Sequence, residues 1–229
     1  MNLAQTAVYI PIRILARILF RVHDEELTRI PRQGPLILVA NHVNFADVPV
    51  FYTHLIPRPV TGFAKIENWK NPALGFLFSL GGAIPIRRGA VDRTAIGRAL
   101  EVLRSGRILA IAPEGTRSGD GLLQKGRTGV AVLALDSGAP VWPVAYYGLE
   151  KFRRNLFRLR RTDFYFRVGT PFLIRAGEER ITRSVREQIT TEIMYRIAAL
   201  LPPEYRGYYS DLSKATSQYL IAIEQSPSL

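Results

Sequence analysis

From residue 35 onward, the chain alternates short apolar runs with amphipathic stretches of helical length. The run at residues 35–40 reads PLILVA and the run at residues 107–112 reads RILAIA, which suits buried strands better than helices. Strands separated by helices favour parallel pairing, because a parallel crossover needs a connection of about that length. The sequence therefore predicts an α/β fold, a single layered domain whose mostly parallel sheet is flanked by helices.

The predicted strands and helices follow one another along the chain. We expect strands at residues 35–40, 59–64, 83–86, 107–112, 141–146 and 164–168. We expect helices at residues 49–55, 72–80, 91–105, 128–136 and 178–201. Ligands on such sheets usually bind beyond the carboxyl ends of the strands, so polar residues that directly follow a strand are the candidates for a site.

A histidine and an aspartate follow the first predicted strand, where the chain reads Asn-His-Val-Asn-Phe-Ala-Asp. His42 precedes Asp47 by five residues, which suits an acid–base pair. A neutral imidazole accepts a proton near pH 7, and a carboxylate on its other nitrogen fixes the tautomer. The alternative is a polar loop in which Asp47 only caps the next helix.

Two further polar segments follow predicted strands. Residues 113–118 read Pro-Glu-Gly-Thr-Arg-Ser and come directly after the strand at 107–112. Arg87 and Arg88 come after the strand at 83–86. Charged side chains beyond buried strands favour recognition of a polar ligand, although a surface turn with a local ion pair is the alternative for residues 113–118.

Taken in order, the segments at 41–47, 84–88, 114–118 and 141–144 resemble the motifs of the glycerolipid acyltransferases, which include the lysophosphatidic acid acyltransferases. The resemblance covers roughly residues 30–175, and four motifs in the same order are far more specific than any one of them.

The motifs match the family at particular residues. Asn41, His42 and Asp47 match its Asn-His-x4-Asp motif, and residues 114–118 match its Glu-Gly-Thr-Arg-Ser motif without change. Arg88 stands where the family arginine usually falls, and Arg87 replaces the more usual aspartate. Val141-Trp142-Pro143-Val144 matches the fourth motif. Lys65 and Lys125-Gly126 are similar to basic positions that are common in the family.

The resemblance implies roles for these residues. His42 would be the general base that takes a proton from the acceptor's hydroxyl, and Asp47 would orient it. The acceptor's glycerol phosphate would be bound by Lys65, Arg88, Glu114, Gly115, Thr116 and Arg117. The acceptor would be 1-acylglycerol 3-phosphate or another lysophospholipid, glycerol 3-phosphate or amino-acid lipid. The acyl donor would be acyl-CoA or acyl carrier protein, and no cofactor or metal would be needed.

The N-terminal segment, residues 1–28, predicts an amphipathic helix that lies on a membrane. Arg13, Arg17 and Arg21 interrupt an apolar stretch at intervals of four, which disfavours a helix that spans the bilayer. A helix that only covers the core is the alternative. We expect the acyltransferase domain at 29–210 and a C-terminal helix or tail at 211–229.

The formal net charge of +12 attracts anionic partners, whether phosphate-bearing substrates, anionic lipids or nucleic acid, and does not by itself choose among them. Together with the apolar N-terminal segment, it favours the anionic lipids of a membrane surface. We therefore expect a peripheral or monotopic protein on the cytoplasmic side of the cell membrane. Residues 151–161 carry six cations among apolar residues, which suits a membrane contact, a dock for acidic acyl carrier protein, or a solvated loop. Trp69, Phe76 and Phe78 suit either core packing or contact with lipid.

Other classes of function fit less well. A serine hydrolase would need a Gly-x-Ser-x-Gly turn, which the chain lacks. No segment resembles a nucleic-acid-binding module, so we expect no nucleic-acid partner. The chain has no cysteine and its three histidines lack metal-ligand spacing, so we expect no protein-held metal.

Overall fold

The computed structural model describes residues 3–32, 34–58, 60–87, 89 and 92–223. The α-helices are α1 (Leu3–Leu19), α2 (Asp47–His54), α3 (Pro72–Leu80), α4 (Arg93–Arg104), α5 (Gly129–Ser137), α6 (Phe152–Phe157) and α7 (Arg183–Leu200). The strands are β1 (Phe20–His23), β2 (Leu36–Ala40), β3 (Val60–Lys65), β4 (Ile84–Ile86), β5 (Ile108–Ile111), β6 (Val141–Tyr147), β7 (Thr162–Val168), β8 (Phe172–Ile174) and β9 (Leu220–Ala222). Short 3-10 helices fill several connections.

These strands form one sheet in the order β1-β7-β6-β2-β5-β3-β4, and β8 and β9 extend it beside β6. The central strands are parallel: β2 pairs with β5 and β6, and β3 pairs with β5 and β4. β7 is antiparallel to β6 but parallel to β1. The predicted α/β fold with a mostly parallel sheet is confirmed.

The core lies on both faces of the sheet, which explains why the central strands are apolar throughout. All five residues of β2 are buried, and Ile37 faces a cluster built with α4, α5 and α7. Leu36 and Leu38 face a second cluster built with α1 and α2. Strands covered on both faces have no polar side, so they read as continuous apolar runs.

The N-terminal helix ends earlier than the sequence predicts. α1 stops at Leu19, and Arg21 belongs to β1, where its partner is Asp163 of β7. The expected row of three arginines on one helix is therefore wrong, because the last of them is recruited into the sheet. Arg17 is bound to Asp24 at 2.9 Å.

What α1 turns toward solvent is apolar. Its exposed side chains include those of Ile10, Ile14, Leu15 and Ile18, whereas Ala16 faces the core. Residues 10, 14 and 18 are spaced by four and so lie on one side of the helix. The helix thus buries one face in the domain and leaves a second apolar face uncovered by the rest of the described chain.

Two other segments differ from expectation. The C-terminal segment predicted as a helix or tail contains β9, which pairs with β8, because Leu220 and Ile174 complete the core beside each other. α3 is apolar on every side, yet Gly75 is its one buried residue, and Phe76 is exposed. Core packing, one of the two alternatives given for Phe76, is therefore wrong.

Candidate active site

The carboxyl ends of neighbouring parallel strands bring the predicted motifs to one edge of the sheet. β2 leads into the histidine loop, which we define as residues 41–47, and β5 leads into residues 113–118. β3 ends at Lys65, next to β5. Because these strands run in the same direction, their ends open on the same side of the molecule, as the sequence predicts.

The histidine loop is attached at its first residue. The Asn41 amide donates to the carbonyl of Tyr146 at 2.8 Å, and its oxygen accepts from the Tyr146 N–H at 2.9 Å. The side chain therefore continues the β2–β6 ladder where the backbone pairing stops. Asn41 is buried, and its two bonds to β6 fix the position of the next residue, His42.

His42 and Asp47 are in contact. The distance between Nδ1 of His42 and Oδ2 of Asp47 is 3.0 Å, and the histidine side chain is 18% exposed while that of the aspartate is fully buried. An ionised carboxylate only accepts hydrogen bonds, so Nδ1 carries the proton and Nε2 is left as an acceptor. The imidazole thus has Nδ1 bound to the buried carboxylate, while part of the ring is accessible to solvent.

Asp47 also organises the backbone of the loop. Its Oδ2 accepts from the N–H groups of Val43 at 2.6 Å and Asn44 at 2.8 Å, in addition to His42. Asp47 is the first residue of α2, where the helix dipole stabilises a negative charge. The buried carboxylate is therefore balanced by donors and by the helix, which keeps it available to a histidine that becomes positive.

Glu114 lies beneath the histidine loop and faces inward. Its Oε1 accepts from the His42 N–H at 2.8 Å, and its Oε2 accepts from the Gln124 N–H at 2.9 Å. Burial raises the pKa of this carboxyl from 4.5 to about 7, although the two N–H donors oppose the shift. The predicted direct contact of Glu114 with an acceptor does not fit, because the side chain is enclosed and both oxygens are occupied.

The two loops are also joined through their backbones. The N–H of Ser118 donates to the carbonyl of His42 at 2.8 Å, and that of Gly119 donates to the carbonyl of Val43 at 2.9 Å. The segment after β5 therefore supports the histidine loop along its length. Residues 114–119 therefore have a structural role, which is to hold the backbone of the histidine loop in place.

Arg127 is a residue that sequence reasoning missed. Its Nε donates to the carbonyl of Glu114 at 3.2 Å, and its side chain lies against Gly115. Gly115 has a φ of +70°, and a Cβ there would come within 2.8 Å of the Arg127 side chain. Position 115 therefore requires glycine. The nearby Lys125-Gly126 signal pointed to this region without identifying the arginine.

The remaining predicted binding residues that the structure describes, Lys65, Thr116 and Arg117, lie at the same edge. Arg117 is exposed, and no residue in the described ranges accepts a hydrogen bond from its guanidinium. Thr116 is partly buried beside it. Lys65 is half exposed and lies 3.7 Å from Glu67. Arg88 is outside the described residues.

Two properties of the described residues bear on the kind of site. None of their helices is long and apolar enough to cross a membrane. Within the same ranges, no group of three or more histidine, aspartate and glutamate residues is placed to hold a metal ion.

The carboxyl edge of this α/β sheet carries a histidine held by a carboxylate and an arginine that has no partner among the described residues, an arrangement that suits an anionic ligand. The comparison with known families agrees with this arrangement. The Acyltransferase family model matches residues 20–147, more than half of the 229 residues. The chain belongs to the acyltransferase family.

Similar proteins carry two kinds of name. A lyso-ornithine lipid O-acyltransferase from Pseudomonas aeruginosa is 38% identical over 116 residues, which is 50% of this chain and 43% of the relative. The chloroplastic 1-acyl-sn-glycerol-3-phosphate acyltransferase LPAT1 of Arabidopsis thaliana is 30% identical over 138 residues, 58% of this chain and 37% of the relative. The matches thus span less than half of these relatives' own length.

A solved structure supports the fold. The crystal structure of the 1-acyl-sn-glycerophosphate acyltransferase of Thermotoga maritima superposes with a TM-score of 0.62. The match covers 86% of this chain and 80% of the other, at 23% sequence identity. At this identity the likeness establishes the shared α/β architecture.

Proposed function

We propose that the chain transfers a fatty acyl group from a thioester to the free hydroxyl of 1-acylglycerol 3-phosphate, which gives phosphatidic acid. The observation that carries the proposal is the 3.0 Å contact between Nδ1 of His42 and Asp47. A hydroxyl is a poor nucleophile at neutral pH, so a positioned base accelerates its attack by roughly 100- to 10,000-fold. His42 is that base and Asp47 is the group that orients it.

In the proposed reaction, His42 and Asp47 act on the two substrates. The acceptor's hydroxyl oxygen attacks the thioester carbonyl carbon while its proton passes to Nε2 of His42. The C–S bond then breaks, and the proton goes from the imidazolium to the departing thiolate of coenzyme A or acyl carrier protein. Asp47 stabilises the imidazolium while it exists, as a carboxylate does in other histidine-based sites.

Arg117 supports the choice of a phosphate-bearing acceptor. Its guanidinium is exposed at the same edge as His42 and has no partner within the described chain. Arginine's planar fork binds phosphate oxygens in pairs, so it suits a phosphate monoester. Lys65 and Thr116 are available at this edge, and we also assign Arg88, which lies outside the described residues, to the phosphate. Glu114 and Gly115 act through the loop rather than on the acceptor.

The exposed apolar face of α1 supports a location on a membrane, where the acceptor resides. Ile14 and Ile18 belong to this face. A helix of this kind lies in the interface with its apolar side among the acyl chains. We accordingly propose a peripheral or monotopic association with the cytoplasmic side of the cell membrane.

A second candidate acceptor is a lyso-ornithine lipid. It is favoured by the 38% identity to the Pseudomonas aeruginosa lyso-ornithine lipid O-acyltransferase. The chemistry at His42 would be the same, because both acceptors present a free hydroxyl on a lipid. They differ in the headgroup, which carries a phosphate in one case and an amino acid in the other.

A purified assay separates the two acceptors. The full chain is given acyl-CoA or acyl carrier protein thioesters with 1-acylglycerol 3-phosphate, glycerol 3-phosphate or lyso-ornithine lipid in detergent. We expect the highest kcat/KM with 1-acylglycerol 3-phosphate. A preference for the lyso-ornithine lipid would replace the acceptor, and thioester-independent ester hydrolysis without any transfer would reject the reaction itself.

Replacement of Arg117 tests the phosphate contact. Arg117→Ala should raise the KM for 1-acylglycerol 3-phosphate about tenfold or more and leave the KM for the thioester nearly unchanged. Arg180→Ala, which removes an exposed arginine from the connection between β8 and α7, is the matched control. A larger effect of Arg117→Ala on the thioester would assign the arginine to the donor.

A further inference from the structure

Residues 152–160, which we call the basic hook, present large apolar side chains directly to solvent. The hook consists of α6 and the turn that follows it. Phe157 is 84% exposed and Leu159 is 95% exposed, and Leu156 is exposed beside them. Isolated exposed apolar residues are common. Three that are close together at the tip of a protruding segment indicate a surface that a membrane or another molecule covers.

The turn at the tip is held in shape by its own backbone. The N–H of Leu159 donates to the carbonyl of Leu156 at 3.0 Å, and that of Arg160 donates to the carbonyl of Asn155 at 2.9 Å. Leu159 has a φ of +51°, a left-handed conformation that leucine rarely adopts. The fold therefore tolerates strain at a position where the leucine side chain touches little of its own chain.

Four arginines surround the apolar tip. Arg153, Arg154, Arg158 and Arg160 are exposed, and no carboxylate in the described ranges lies within ion-pair distance of them. The neighbouring carboxylate of Glu150 is 3.7 Å from Lys151 and accepts from Tyr205. The hook thus combines uncompensated positive charge with an apolar tip.

The sheet places the hook beside the histidine loop. β7 is antiparallel to β6, with Tyr147 opposite Tyr165, so the chain between them turns at the carboxyl edge that carries His42. The side chain of Asn44 also donates to the carbonyl of Leu149 at 3.0 Å, just before the hook begins. The hook and the candidate active site therefore open on the same side.

The hook adjoins the carboxyl end of α1. The guanidinium of Arg161 donates to the carbonyls of Arg17 and Phe20, each at 2.6 Å, and so joins the end of the hook to the end of α1. Ile18, at that end of the helix, is 61% exposed. The hook and the carboxyl end of α1 are therefore neighbours, and each has exposed apolar side chains.

We propose that the basic hook inserts Phe157 and Leu159 into an anionic lipid surface, while its arginines bind the lipid headgroups. The inference rests on the proposed membrane contact of α1, and it adds the hook as a second point of contact with the membrane. Two points at the carboxyl edge orient that edge, and with it His42, toward the bilayer. An acidic carrier protein would account for the arginines, but the two nearly fully exposed apolar side chains at the tip favour a hydrocarbon phase.

Vesicle binding tests the proposal with the full chain and without acyl donor or acceptor. The hook variant is Phe157→Ser with Leu159→Asn, because asparagine tolerates a left-handed backbone better than most residues other than glycine. Ile181→Ser is the matched control, since Ile181 is also exposed but lies in the connection that leaves the opposite edge of the sheet. Sedimentation is measured with phosphatidylcholine vesicles, with and without phosphatidylglycerol.

We expect the hook variant to lower the partition coefficient on anionic vesicles about tenfold or more, and the control to match the original chain. Arg158→Gln with Arg160→Gln should lower anionic binding about tenfold and leave binding to phosphatidylcholine alone nearly unchanged. Unchanged vesicle binding of the hook variant would overturn the proposal. A loss confined to turnover with acyl carrier protein would assign the hook to that protein instead.

The outcome is separable from that of the proposed reaction. Turnover of the hook variant on detergent-dispersed acceptor should stay within about twofold of the original chain, because the hook does not contact His42. Failure of acyl transfer in the original chain would reject the reaction and leave the vesicle result standing. Failure of the hook variant to change binding would reject the hook and leave the reaction standing.

Discussion

The histidine loop and the basic hook both lie at the carboxyl edge of the sheet, but Asn41 and Asp47 of the loop are buried, whereas the apolar side chains at the tip of the hook are exposed. In the histidine loop, Asp47 is fully buried and accepts three hydrogen bonds at one oxygen. In the hook, Leu159 is almost fully exposed and in a strained conformation. A reacting group needs fixed geometry, whereas a surface contact needs accessible groups, and the same edge supplies both.

The largest difference between the two segments should appear in catalysis. His42→Ala should lower kcat by roughly 100- to 10,000-fold because the proposed base is removed, while vesicle binding should not change. His23→Ala is the matched control, since His23 is also near an aspartate, Asp163 at 3.4 Å, but lies on β1 away from the loop. Turnover of His42→Ala near that of the control would remove the base assignment.

The second largest difference between the histidine loop and the hook should appear in the free energy of unfolding. Asp47→Ala leaves the N–H groups of Val43 and Asn44 without their acceptor and removes a charge from the start of α2. We expect the free energy of unfolding to fall by about 4 kcal/mol, measured by urea denaturation. Asp136→Ala, in the last turn of α5, serves as a surface control. A loss below about 1 kcal/mol would show that the loop does not depend on this carboxylate.

The pH dependence of stability should reveal the titration of Glu114, the buried carboxyl below the histidine loop. The pKa of Glu114 is about 7 in the folded chain and 4.5 otherwise, so between these values the folded state holds a proton that the unfolded state has released. This contribution to stability therefore falls as pH rises from about 4.5 to 7, by on the order of 3 kcal/mol.

Urea denaturation across that pH range measures the effect. The free energy of unfolding of the original chain, relative to that of Glu114→Gln, should fall as pH rises through the range and become constant above it. Glu187→Gln is the control, because Glu187 is exposed on α7 and pairs with Arg183. Parallel stability curves for the original chain and Glu114→Gln would contradict the raised pKa.

The smallest effect is expected at the tip of the hook. Leu159→Asn should change the free energy of unfolding by less than about 1 kcal/mol, and in the stabilising direction, because asparagine relieves the left-handed strain. Leu159→Gly provides a second measurement at the same φ. A loss greater than 1 kcal/mol in either variant would indicate that Leu159 packs against the fold, and the contrast between the two segments would disappear.

Much of the fold could be predicted from local pattern. The helix expected at residues 72–80 is α3 with the same bounds, and the strand expected at 35–40 is β2 to within one residue. The short strands β1, β8 and β9 were not predicted. They are three or four residues long and exist through partners far away in sequence, such as Phe20 with Thr162, so local periodicity carries little signal for them.

The candidate site divides in the same way. The contact between His42 and Asp47 spans five residues, and the structure contains it, while their catalytic roles stay a prediction. The inward orientation of Glu114 was not predicted, because its partner His42 is 72 residues away. The role of Arg127 was not predicted either, because it depends on the tertiary contact between its side chain and Gly115.

The sequence by itself determined the order of the central strands and the helices between them, the family motifs and the polar residues at the strand ends. These features depend on residues close together in the chain, whose apolar spacing and turn chemistry can be read directly. Tertiary structure alone decided which carboxyl is enclosed, which arginine is unpaired and which apolar side chains remain exposed. Burial and pairing result from segments that meet across the sheet, so they become fixed only when the distant partners, such as β6 and β7 or α1 and Arg161, are in place.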